Sequence, residues 1–218
     1  MLRKFQETKQ VKLLFMADFK ILQLVSSYKK ANTYIVEINE FDILIIDLGN
    51  YPTEELLKWI ALNNKNLLGL FLTHEHADHC YGVDILKSKI DFTLYCSEKC
   101  EINMRNPKQN FSRYIEDFET FGIQSDAIII KDGQTLNFNG FEIIIMETPG
   151  HSPGSICIFA KNTVFTGDTI LNNVESPLIF PHSSKKDHLQ SKNKINKKLN
   201  SETIIYPGHG EPFYYVIL

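Results

Sequence analysis

The chain has 218 residues, of which 43% are hydrophobic and 22% charged, with a formal net charge of −3. That is ordinary globular composition with length for one substantial core, so a single domain over residues 1–218 is expected and a disordered polyelectrolyte is excluded. The slightly acidic balance gives no reason to expect nucleic acid or an anionic membrane as partner, and no apolar run approaches the ~20 residues that span a bilayer.

Met1 to Lys12 are polar and mixed in charge, and Leu13 to Met16 are too few for the apolar centre of a signal peptide. Phe19 to Val25 and Thr33 to Ile38 predict strands joined by a polar loop. Asp42 to Asp47 is nearly continuous β-branched and apolar sequence, as in a strand buried on both faces. Thr53 is placed to cap a helix with Glu54 and Glu55 in its first turn and Leu56, Leu57 and Ile60 facing inward. A strand over Leu67 to Leu72 and a helix over Ala77 to Lys87 follow, with Gly82 allowing close approach early in that helix. Residues 96–122 are polar and aromatic, expected as helix and loop across one face. Ala127 to Ile130, Gln134 to Phe138 and Phe141 to Met146 predict a second strand cluster, with Asn139-Gly140 as a hairpin turn. Ser155 to Phe159 and Thr163 to Phe165 predict another hairpin. A lysine-rich helix over Ser184 to Leu199 precedes a last strand, Thr203 to Ile205. Pattern alone supports an α/β protein with doubly buried strands.

The chemistry is concentrated in Thr73-His74-Glu75-His76-Ala77-Asp78-His79. His74 and His76, two apart on an extended segment, share one side. Asp78 and His79 open a helix and turn a second pair of ligands toward the same space. Imidazole and carboxylate are ligands for a borderline cation such as zinc, and this segment can serve two adjacent ions. Three further segments repeat one arrangement, a short apolar strand, a tight turn and then a ligand. They are Thr148-Pro149-Gly150-His151, Thr166-Gly167-Asp168 and Tyr206-Pro207-Gly208-His209. Ligands that follow strands in this way are expected to collect at one sheet edge.

This set, H-x-H-x-D-H followed by His, Asp and His in order, resembles the metallo-β-lactamase-fold hydrolase superfamily over roughly residues 18–213. Gly150-His151-Ser152-Pro153-Gly154-Ser155 and Pro207-Gly208-His209-Gly210 resemble its glyoxalase-II-like branch, in the short form without a C-terminal helical domain. The resemblance implies a four-layer αββα sandwich. It implies that His74, His76 and His151 bind one divalent metal, that Asp78, His79 and His209 bind the other, and that Asp168 bridges them. Zinc is expected; iron or manganese suit the same ligands. Short relatives usually carry a Gly-Arg-Thr-Asp-like run after the bridging aspartate. This chain has Asn173-Val174-Glu175-Ser176-Pro177 there and keeps the later Phe180-Pro181.

The ligand set implies hydrolysis by a metal-bridging hydroxide, with no serine or cysteine nucleophile. Asp168 would set the metal separation, and Asp78 would bind metal and accept the proton from the water. A small-molecule thioester, ester or lactone is the expected substrate. The competing readings are a mononuclear-iron sulfur dioxygenase, a nuclease or phosphodiesterase of the same fold, and a non-catalytic binding module.

Some residues carry two readings. Asp47 either hydrogen-bonds a ligand histidine or stabilises a turn at a strand end. Thr73 and Thr169 read as backbone-bonding turn residues. The lysines of the 184–199 segment read as a solvated face, without the interleaved aromatics that stack on bases. His182 reads as an exposed loop residue or as part of a substrate cleft. Cys80, Cys96, Cys100 and Cys157 read as reduced packing thiols, consistent with a cytoplasmic location.

Overall fold

The computed structural model describes residues 11–14, 19–116 and 119–216. Residues 1–10, on which the expectation about a signal peptide rests, lie outside it, as do Phe15 and Met16 of the apolar patch.

Among the described residues, seven strands form the first sheet in sequence order: β1 (Val11–Leu14), β2 (Lys20–Val25), β3 (Asn32–Glu37), β4 (Asp42–Ile46), β5 (Asn66–Phe71), β6 (Thr93–Cys96) and β7 (Ala127–Ile129). Pairing is antiparallel from β1 to β4 and parallel from β4 to β7. Six strands form the second sheet: β8 (Thr135–Phe138), β9 (Phe141–Glu147), β10 (Ile156–Ala160), β11 (Thr163–Gly167), β12 (Ile204–Pro207) and β13 (Phe213–Tyr214). There β11 and β12 are parallel and the other pairs antiparallel.

The apolar residues sort into three layers. Leu44, Ile46 and Phe71 of the first sheet meet Ile143, Ile145, Phe165 and Tyr206 of the second. Ile43 and Ile45 point the other way, onto Leu56, Trp59 and Ile60 of helix α1 (Thr53–Leu62). Alternate residues of β4 thus enter two different cores, which is why it reads as continuously apolar. Behind the second sheet, Met146, Cys157, Val164 and Ile205 pack on Ile195 of a long helix. The result is the expected αββα sandwich.

Several expectations change in detail. Thr53 begins α1 instead of capping it; Pro52 holds the cap position without a side-chain bond. The Ala77 to Lys87 helix is two pieces, α2 (Ala77–Cys80) and α3 (Val83–Lys87). Gly82, at the break, donates its N–H to the Leu48 carbonyl (2.9 Å), and a Cβ there would lie 2.7 Å from the Leu48 side chain. Residues 98–104 form helix α4 (Glu98–Met104), capped by the Ser97 hydroxyl. β7 pairs with β6 in the first sheet, not with the β8–β9 hairpin to which its sequence neighbourhood assigned it. The lysine-rich segment forms α5 (Lys185–Asn196), with Ser184 as its cap. No helix among the described residues is long and apolar enough to cross a membrane.

Candidate metal centre

β4 and β5 are parallel, so the loops leaving their C-terminal ends, with Asp47 and His74, open on one edge. β9 is antiparallel to β10 and β10 to β11, while β11 is parallel to β12. The exits of β9, β11 and β12 therefore share an edge too, and carry His151, Asp168 and His209. The two edges are sewn together by backbone bonds from Ile156 N to Thr73 O (2.8 Å) and Asn32 N to Gly208 O (2.7 Å).

The seven residues expected as ligands meet at this edge. His74, His76 and His151 bring ring nitrogens together in one group, and Asp78, His79 and His209 bring donor atoms together in a second. His76 Nδ1 lies 3.0 Å from His151 Nε2, and His79 Nε2 lies 3.3 Å from His209 Nε2. Bonds of about 2.0–2.1 Å at a tetrahedral angle would separate two donors on one zinc by about 3.3 Å. Asp168 stands between the groups, Oδ1 3.6 Å from His79 Nε2, Oδ2 3.5 Å from His151 Nε2 and 3.4 Å from His209 Nε2. Asp78 Oδ2 is 3.5 Å from His209 Nε2.

The outward nitrogens explain which atoms face inward. His79 Nδ1 donates to Asp47 Oδ2 (2.9 Å), His151 Nδ1 to the Pro177 carbonyl (3.0 Å) and His209 Nδ1 to the Lys29 carbonyl (3.1 Å). Thr73 Oγ1 donates to Asp47 Oδ2 (2.7 Å) and accepts from His74 Nδ1 (3.0 Å). Each partner can only accept, or has its proton already used, so the Nε2 lone pair of each ring points into the site. Of the buried polar atoms that make no hydrogen bond, two belong to the seven residues gathered here, His74 Nε2 and Asp168 Oδ1. Buried polar atoms without partners are costly, and a cation at each group would satisfy both. The donor set therefore fits divalent metal ions.

Asp47 fills both roles considered for it. Its Oδ1 accepts the Thr73 N–H (2.7 Å), fixing the turn, while Oδ2 orients His79. It also clusters with His74 and His79, but both its oxygens are already engaged in hydrogen bonds, so its part is to orient the imidazoles. Its backbone is left-handed (φ 56°). Thr73 is more than a turn residue, since its hydroxyl links Asp47 to His74. Thr169 bonds the Thr148 hydroxyl (3.2 Å) as well as backbone.

Electrostatics divide the two groups. Burial and the neighbouring imidazoles hold the His74 pKa well below the usual histidine value and push His76 down to about 3; burial also lowers His151. Burial opposes charge on His79 and His209 as well. Asp168 and Asp78 outweigh it, raising His79 and lifting His209 to about 11. Burial resists ionisation of Asp168, but His79 and His209 hold its pKa well below the carboxylate range.

Close packing is required here. Gly167 has φ +49° and no room for a Cβ, which would meet the Thr73 hydroxyl at 2.5 Å. A Cβ on Gly208 would sit 2.2 Å from Asp168 Oδ1.

Two features of the site were missed in the sequence. Glu75 is buried beside the histidine cluster, accepting from Asn103 Nδ2 (2.9 Å) and Ser152 Oγ (2.9 Å). The alternation that puts His74 and His76 on one side sends Glu75 to the other, so the signal was present. Phe111 and Phe180 form an aromatic wall over His76, with ring centroids 4.9 and 5.0 Å from it. His182 is exposed on its loop and His188 is buried in α5. The four cysteines are free and buried, and Cys80 donates to the Glu75 carbonyl (3.3 Å), a packing role as expected.

A sequence profile described as the metallo-beta-lactamase superfamily matches residues 29–209. The chain belongs to that superfamily. A probable metallo-hydrolase of Streptococcus pyogenes serotype M6 is 28% identical over 197 residues, covering 88% of this chain and 84% of that protein. The crystal structure of the B3 metallo-beta-lactamase BLEG-1 superposes with a TM-score of 0.82 at 23% identity, covering 89% of this chain and 93% of that one. TTHA1623 in a di-iron-bound form superposes with a TM-score of 0.75 at 24% identity, over 88% and 93%. At these identities the two structures speak for the fold alone.

Proposed function

We propose that the protein is a two-metal hydrolase of thioesters, esters or lactones, with zinc as the native ion. His74, His76 and His151 would hold one ion, Asp78, His79 and His209 the other, and Asp168 both. The observation that carries the reading is the inward convergence of seven donors, two of them buried without another partner. When bound, such a pair supplies Lewis acidity and a water of lowered pKa. Asp168, between the two groups, fixes their spacing. Asp78 is the less buried carboxylate, 19% exposed at its side chain, and faces the cavity; it is the group that would take a proton from an attacking water. Asp47 and Thr73 keep His79 and His74 in the tautomers that leave Nε2 bare. The four buried free thiols suit a reducing compartment, so the cytoplasm, and one domain over 1–218, belong to the same reading.

The test is elemental analysis of protein purified without added metal, beside Asp168→Ala, with turnover of a thioester, ester and lactone panel. About two zinc ions per chain, fewer in the variant, and measurable hydrolysis are expected. About one iron per chain with oxygen uptake would replace the reading by an iron oxygenase. No metal after reconstitution would overturn the ligand assignment.

A further inference from the structure

We infer that the cavity over the metal centre selects its substrate by an apolar acyl group, an alkyl chain or aryl ring, seated against Phe111 and Phe180. This rests on the hydrolase reading and names the substrate class for it. The cavity is about 760 Å³, and Asp78, Asp168, His76 and His209 gather at its floor. Its walls are apolar: Phe111, Tyr114, Ile115, Leu171, Val174 and Phe180. Tyr114 and Val174 are each 66% exposed at the mouth. Large apolar side chains grouped in water beside a polar floor mark a surface that a ligand covers.

Phe111 is held in place at some cost. Its φ of 65° is the left-handed region, which a bulky side chain occupies only when its surroundings impose it. Asn110 imposes it. Fully buried, it donates Nδ2 to the carbonyls of Met104 (3.0 Å) and Phe121 (2.9 Å) and accepts the Ser112 N–H at Oδ1 (2.8 Å). Its own carbonyl accepts the Ala77 N–H (2.8 Å), tying this loop to the helix that carries Asp78 and His79. The Phe111 ring is thereby stacked on Phe180, centroids 5.2 Å apart and planes 29° off parallel, with both rings against His76. An apolar chain on this pair would begin where the scissile group must lie.

Charge points the same way. Among the described lining residues Lys29 is the only lysine or arginine, and Glu175, on the segment after Asp168, carries the opposite sign. The walls offer little to the two carboxylates of a leaving group such as a glutathionyl moiety. They offer contact area to hydrocarbon.

The test is calorimetric binding of acetate, butanoate, hexanoate and octanoate to the metal-loaded protein, beside kcat/KM for thioesters of the same acids. Affinity and kcat/KM are expected to rise by up to about fourfold per methylene until the cavity is filled. Phe111→Gly, which suits the left-handed backbone and removes the ring, should flatten that slope, and so should Phe180→Ala. An enzyme active on acetyl thioesters with no chain-length slope in either readout would overturn the inference and leave the hydrolase reading standing. A rising alkanoate affinity in a protein inert to every ester would do the reverse. A slope unchanged in both variants would overturn the assignment to Phe111 and Phe180.

Discussion

Asp47→Asn alters a carboxylate that accepts three hydrogen bonds, from Thr73 N (2.7 Å), Thr73 Oγ1 (2.7 Å) and His79 Nδ1 (2.9 Å). Asparagine suits φ 56° at least as well as aspartate, so the backbone should stay in place. The amide keeps one acceptor oxygen and gains an NH₂. With the oxygen on Thr73 N, the NH₂ faces His79 Nδ1, which must then accept. The ring proton moves to Nε2, the atom aimed at Asp168 and His209, and a protonated nitrogen cannot ligate a metal. Both contacts on Oδ2, from Thr73 Oγ1 and His79 Nδ1, lose their charge assistance, and at roughly 1 kcal/mol each that sets the expected stability loss of the metal-free protein. Loss of an orienting partner typically weakens metal binding by about 10–100-fold, here at the position held by Asp78, His79 and His209. Chelator competition, titrating two equivalents of zinc, reads the second effect, and urea unfolding in chelator reads the first. Wild-type affinity for both ions in Asp47→Asn would refute the argument that Asp47 sets the His79 tautomer.

Metal-free protein should lose stability as pH falls from about 6.5 toward 4, the first figure being the ordinary histidine pKa. The unfolded chain takes up protons there that burial denies to His74, His76 (pKa about 3) and His151, so each steepens the fall by up to about 1.4 kcal/mol per pH unit. His79 and His209 have raised pKa values, so their stabilisation is already complete below 6.5 and cannot offset the loss. A urea midpoint in chelator that stays flat between pH 7 and 4.5 would contradict this. Glu75→Ala strips Asn103 and Ser152 of their acceptor and should cost about 2–4 kcal/mol in thermal unfolding, with Glu75→Gln milder because it keeps one acceptor oxygen. Gly208→Ala drives a methyl into Asp168 Oδ1 and should leave less than the full complement of zinc by elemental analysis while circular dichroism stays native.

The seven converging residues were legible because each sits in a short segment whose chemistry is local. Thr73 to His79 needs no knowledge of the fold to look like a metal-binding run, and the Gly and Pro around His151, Asp168 and His209 mark the turns. The strand β4 was legible because apolar residues on both faces leave no other reading. What escaped depends on pairing across distance. β6 is four residues with alternating burial, and β13 is two residues, too short for a periodic signal. β7 went to the wrong sheet because its partners in β6 lie 33 residues earlier while the hairpin lies next to it. The break at Tyr81-Gly82 comes from Leu48 and Gly49, which crowd the helix from another loop. Phe111 looked like loop sequence, since its conformation is imposed by Asn110 and by carbonyls of Met104 and Phe121.

Each of the two groups of converging donors draws from both sheets. His74 and His76 leave β5, whereas His151 leaves β9; Asp78 and His79 lie on α2, whereas His209 follows β12. The second contribution to each group comes from the later part of the chain. A ribosome-bound chain that has already built the whole first sheet therefore still has only half of each binding site. By the proposed assignment the group of His74, His76 and His151 has its last donor once Asp168 has been made, but the group of Asp78 and His79 waits for His209, close to where Asn32, Gln23 and Tyr34 grip the Pro207 and Gly210 carbonyls. Under the proposed assignment, full metal loading would be a late event, one that reports that the two halves of the chain have met.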